Sequence, residues 1–101
     1  MLTNKEVIAV DQDPLGKQAQ RVSKDGDLEV WARPLAGGAY AVGLFNRGDA
    51  EGKVTARWSH IGLKGSARVR DLWAHADRGT ASDEFSAQVP SHGVVMIKLE
   101  R

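Results

Sequence analysis

Asp27-Leu-Glu-Val-Trp-Ala-Arg-Pro-Leu-Ala-Gly-Gly-Ala-Tyr-Ala-Val-Gly-Leu-Phe45 is the stretch that decides the fold class. Leu28, Val30 and Ala32 alternate with Glu29, Trp31 and Arg33, a period of two that sets one side of an extended chain against a core. Gly37-Gly38 then turns the chain, and Tyr40, Val42 and Leu44 take up the same period in Ala39–Phe45. Upstream, Asp25-Gly26 is a two-residue hairpin signal that makes a strand of Lys17–Ser23. Downstream, the loop Asn46-Arg47-Gly48-Asp49 leads to Lys53–Trp58, where Val54, Ala56 and Trp58 align on a core face. A glycine-bracketed loop, Ser59–Gly65, precedes a further strand in Ser66–Trp73.

The remainder is less regular. Ala74–Gly79 reads as polar and irregular, and Thr80–Val89 as one or two weak strands. In the latter, Phe85, Ala87 and Val89 keep the period while Asp83-Glu84 interrupts it. Gly93–Leu99 sets Val95, Ile97 and Leu99 opposite Val94, Met96 and Lys98. Being nearly apolar on both faces, it is expected at the centre of a sheet. Seven or so short strands at this spacing imply an antiparallel all-β sandwich or barrel.

The first residues follow a different rule. Thr3 and Glu6 have capping-box spacing, Val7, Ile8 and Val10 form an apolar stripe, and Asp13-Pro14 is a stop. A helix of about ten residues is marginal in water without a surface to dock on. The all-β remainder offers no second helix, so residues 1–15 are expected to be the last helix and junction of a preceding domain. Residues 16–101 are then the β domain.

The same junction, Leu2-Thr-Asn-Lys-Glu-Val-Ile-Ala-Val-Asp-Gln-Asp-Pro-Leu-Gly16, resembles that between barrel and C-terminal domain in the α-galactosidase (melibiase) family of glycoside hydrolases. Asp27-Leu-Glu-Val-Trp-Ala-Arg-Pro-Leu35, Val42-Gly-Leu-Phe-Asn-Arg-Gly48, Val69-Arg-Asp-Leu-Trp73 and Val89-Pro-Ser-His-Gly-Val-Val95 carry the likeness over nearly the whole chain. Asp11 stands where the family often has Asn. The resemblance implies a two-sheet antiparallel β-sandwich with Greek-key connections, non-catalytic and packed on a (β/α)8 barrel of the same polypeptide. It also implies a parent that hydrolyses terminal α-galactosides with retention, through an aspartate nucleophile and an aspartate acid/base on barrel strands. None of those barrel positions is in this sequence. An autonomous carbohydrate-binding module is the alternative.

Composition narrows the partners. Fourteen basic and thirteen acidic residues, formally +1, are interspersed rather than clustered, which argues against nucleic acid. Arg68 and Arg70 alternate as a wet strand face would. No apolar run approaches the ~18 residues of a membrane helix. No leader is recognisable, so a secreted or periplasmic parent stays open. Without cysteine there are no disulfides or thiolate metal sites, and no cofactor is implied.

Asp71, Asp77, Asp83 and Glu84 are the carboxylates worth weighing as a glycosidase pair, and strand-end or turn roles account for them. His60, His75 and His92 are scattered. His75-Ala-Asp77 lacks a third metal ligand, and no serine has a nucleophile-elbow context. No catalytic, substrate-binding or metal residue is therefore expected. Trp58 is expected in the core and Trp73 half-buried. Trp31 shares a face with Glu29 and Arg33, as a sugar platform, a contact to a preceding barrel, or packing for the first helix. Val7, Ile8, Val10, Trp31 and Trp73 are the candidate inter-domain contacts.

Overall fold

The computed structural model describes residues 19–72 and 74–100. Eight strands run in order: β1 Gln20–Asp25, β2 Leu28–Pro34, β3 Tyr40–Asn46, β4 Gly52–Arg57, β5 Ser66–Asp71, β6 Ala76–Ser82, β7 Glu84–Val89 and β8 Val94–Glu100. A 3-10 turn, Ala36–Gly38, joins β2 to β3, and a single helical turn, Trp58–Ile61, follows β4. One sheet has the order β1-β2-β3-β8-β5-β6, the other pairs β4 with β7, and every pairing is antiparallel. The expected two-sheet, all-β architecture is what the chain adopts. The expected helix over Thr3–Val10 lies outside the described residues.

Between the sheets, β2, β3, β4, β5, β7 and β8 each bring buried residues to one dry layer. Val30 and Ala32 of β2, Val42 and Leu44 of β3, Ile97 and Leu99 of β8, and Ala67 and Val69 of β5 pack against Val54, Ala56 and Val89 of the smaller sheet. Trp58 and Leu63 complete that core. As its two apolar faces require, β8 is central, with β3 on one side and β5 on the other. Buried apolar residues of this size stabilise by about 1.5–3 kcal/mol each, which is why the inner face can be alternation alone.

Two elements depart from expectation. Ala74–Gly79 is not irregular: β6 begins at Ala76 and pairs with β5 at the sheet's edge. Its residues are almost all exposed, so it has no apolar alternation to betray it. Thr80–Val89 is two strands in different sheets, divided at Asp83, which takes a left-handed φ of 68°. Trp58 is buried as expected (2% exposed), although it opens a helical turn rather than closing a strand.

The two sheets are clipped together at one end by Asn46, itself buried. Its Nδ2 donates to the carbonyls of Ala50 (2.8 Å) and Val89 (3.0 Å), and its Oδ1 accepts from the Gly48 N–H (2.8 Å). Both amide protons are thus used, one within the β3–β4 loop and one across to β7. Beside it, the Asn46 N–H donates to Gly93 O at 3.0 Å. A Cβ at position 93 would lie 2.8 Å from Pro90 Cγ and 2.9 Å from its carbonyl oxygen, so close approach, not an unusual φ, demands glycine there. In this turn it is His92 that is left-handed, at φ 54°.

Candidate functional site

Among the carboxylates and histidines that could carry chemistry, Asp71, Asp77 and His92 have partners in the turns and loops around them. Asp71 Oδ1 accepts from the Ala74 N–H (3.0 Å), and its Oδ2 pairs with Arg78 Nη2 (3.3 Å). Asp77 Oδ1 accepts from the Gly79 N–H at 2.8 Å, which holds β6 at that glycine. His92 Nε2 lies 3.1 Å from Asp49 Oδ1 on an exposed loop. Arg68 and Glu100 form a cross-strand pair at 3.6 Å, as the wet face of β5 and β8 requires. Among the described residues no group of three or more His, Cys, Asp or Glu side chains could hold a metal.

A cleft of about 660 Å³ opens beside the helical turn, between Trp58, Leu63, Lys64, Asp83 and Glu84. Trp58 closes it from within, and its Nε1 has no hydrogen-bond partner among the described residues. Arg57, Lys64, Asp83 and Glu84 mix positive and negative charge along its lining.

The outer face of the six-stranded sheet is the more organised surface. Strand register lays it out in rows: Lys24, Glu29, Phe45 and Val94; then Arg21, Trp31, Gly43 and Met96; then Arg33, Ala41, Lys98 and Arg70. A β-bulge between Arg21 and Ser23 keeps Arg21 beside Trp31 and Lys24 beside Glu29 while the inner positions remain aligned.

Glu29 is the centre of this face and is only 5% exposed. Trp31 Nε1 donates to its Oε1 (3.0 Å), and Arg47 Nε approaches its Oε2 at 2.9 Å. Arg21 Nη1 is 3.9 Å from Oε1. The hydrogen bond from Trp31 and then the positive charges of Arg47, Arg21 and Lys24 hold the Glu29 carboxyl below the ordinary glutamate range, against the opposing effect of burial. The carboxylate is therefore charged, and the half-buried Trp31 is locked by its own indole N–H.

Row neighbours complete the surface. Gly43 lies opposite Trp31, and a Cβ there would meet Phe45 Cε1 at 2.6 Å; the Phe45 ring lies over the glycine. Val94 is the exposed large hydrophobic residue among those described, at 36%. Toward the other end the face is already covered: Leu35, Ala39, Ala41 and Leu72 are buried together with Met96 against them. Of the candidate inter-domain contacts, only Trp31 falls among the described residues. Val7, Ile8, Val10 and Trp73 lie outside them. Glu29 and Arg47 were missed by sequence reasoning. The alternation put Glu29 beside Trp31, but nothing local signals that an arginine from the following loop closes over it.

Residues 25–99 match the family described as Alpha galactosidase C-terminal beta sandwich domain. An α-galactosidase of Arabidopsis thaliana (Alpha-galactosidase 2) is 50% identical over the whole chain, which covers 26% of that protein. α-Galactosidase I of Mortierella vinacea superposes with a TM-score of 0.89 at 38% identity, over 95% of this chain and 26% of that one. A GH27 β-L-arabinopyranosidase of Geobacillus stearothermophilus gives 0.92 at 30% identity, over 99% of this chain and 22% of that one. The chain thus spans about a quarter of the length of the relatives it matches.

Proposed function

The chain belongs to the family of α-galactosidase C-terminal β-sandwich domains, and from that premise we propose that it is the non-catalytic partner of a catalytic barrel in one polypeptide. That polypeptide hydrolyses terminal α-galactosides with retention, by a pair of carboxylates about 5–5.5 Å apart on the barrel. The single observation that carries this reading is the family match over residues 25–99 in a chain that spans only about a quarter of its relatives. The carboxylates here support it, since Asp71 and Asp77 are engaged by backbone amides and an arginine.

Relatives named for different sugars, an α-galactosidase and a β-L-arabinopyranosidase, carry sandwiches that both superpose closely on this one. That supports a division of labour in which the sandwich does not choose the glycoside. The experiment is direct. The 101-residue chain incubated with a chromogenic α-galactoside shows no turnover above background, whereas the polypeptide joining it to its barrel does. Turnover by the chain alone that disappears in Asp71→Asn overturns the proposal.

A further inference from the structure

We infer that the catalytic domain of the same polypeptide docks on the outer face of the six-stranded sheet, seated on Trp31, Phe45 and Val94, with carboxylates of its own facing Arg21, Lys24 and Arg47. This rests on the two-domain reading above and adds to it which face is used and what chemistry meets it.

Four observations converge on the face. The inner face is filled by the smaller sheet, so any partner of the large sheet meets its outside. One end of that outside is covered by the chain's own Leu35, Ala39 and Leu72, which leaves open the end bearing Trp31, Phe45 and Val94. This open end adjoins β1, the edge strand by which the polypeptide enters the sandwich, and Arg21 of β1 pairs directly with Trp31. About three quarters of each relative's length lies beyond the matched region, and a family described as the C-terminal sandwich puts that length ahead of β1.

The charge balance indicates what the partner presents. Within the two rows at the open end the only carboxylate is Glu29, which is buried and already engaged on both oxygens; the third row ends on Asp77, away at β6. The cations around it are not buried with it: the Arg21 and Arg47 side chains are 48% and 60% exposed. An apolar centre with a cationic margin is complementary to an apolar patch with an acidic margin. Glu29 acts as a positioning residue. It holds the Trp31 ring in one orientation before docking, so less side-chain entropy is lost when the ring is covered.

The test uses the joined polypeptide, barrel and sandwich together. Calorimetry of the unmutated protein shows one coupled transition. Val94→Asp, at an exposed position that folding tolerates, splits it so that the sandwich melts about 5 °C or more below the barrel. Hydroxyl-radical labelling of Trp31 then rises several-fold, while that of Phe85, packed against the inner core, does not. Thr55→Lys, on the outer side of the small sheet, leaves the transition coupled. Arg21→Glu with Lys24→Glu weakens the coupling, as does raising the salt. Two independent transitions in the unmutated protein overturn the two-domain packing itself. Coupling that survives Val94→Asp but is lost in Thr55→Lys keeps the packing and overturns the face. Dissociation of a dimer by Val94→Asp with the domains still coupled makes the occupant a second copy. Shielding of Trp31 by added galactose makes it a sugar. Either result overturns the assignment.

Discussion

The two faces of the six-stranded sheet share their strands and differ in what holds them. On the inside, Val42, Leu44, Ile97 and Leu99 are fully buried against the smaller sheet, and shape alone decides what fits. On the outside, the same strands carry Glu29, Trp31, Phe45 and Val94, where one buried carboxylate is matched by an indole N–H and two arginines. Burial on the inner side is insensitive to pH and most tolerant of apolar residues of similar volume. Order on the outer side is directional, because hydrogen bonds and charges place the side chains. β2 and β3 thus bury their even-numbered residues and turn their odd ones outward, and β8 does the reverse.

The largest test of that contrast is on the inside. Leu44→Ala should cost about 2–5 kcal/mol in chemical denaturation, since the rigid sandwich leaves a cavity. A loss below about 1 kcal/mol would mean the inner face is not close-packed. At the seam, Asn46→Asp should cost about 2–3 kcal/mol, because it removes both donors to Ala50 O and Val89 O and sets an acceptor against two carbonyls. A loss below about 0.5 kcal/mol in Asn46→Ser would show the clip to be dispensable.

The outer face responds to pH instead. The folded Glu29 carboxyl titrates below its ordinary value of 4.5. Its contribution is therefore complete above that value and is lost as pH falls from there through the depressed folded value. Glu29→Gln should flatten this acid limb of the stability curve and shift Trp31 fluorescence at neutral pH, whereas Leu44→Ala should lower the whole curve in parallel. An unchanged acid limb in Glu29→Gln would remove the electrostatic half of the comparison. The smallest effect belongs to Val94→Thr, which should change the stability of this chain by no more than about 0.5 kcal/mol. A larger loss would mean Val94 is packed rather than presented.

The strands were legible where one face is buried. Alternation in 27–45 and 93–99 identified β2, β3 and β8, including their inner residues and the central place of β8. It failed at β6, whose exposed residues have no apolar side to display and which is a strand only because β5 lies beside it. Trp58 was recognised as core from its spacing, while the helical turn it opens depends on Gly62, whose N–H bonds back to the Trp58 carbonyl. Of the outer site, Trp31 stood out as an aromatic among charges. Its lock on Glu29 and the arrival of Arg47 did not.

By itself the sequence determined the fold class, the family and which side of β2, β3 and β8 faces the core. The fold class and the buried sides follow from residue order, because side chains alternate along any extended chain whatever lies next to it, while the family rests on the likeness of whole sequence blocks. Only the tertiary structure decided that β8 comes between β3 and β5, that Asp83 sends β6 and β7 to different sheets, and that Glu29 is buried under arginines from β1 and the β3–β4 loop. Strand pairing and charge burial join residues far apart in the chain, and their energies exist only once the partners have met.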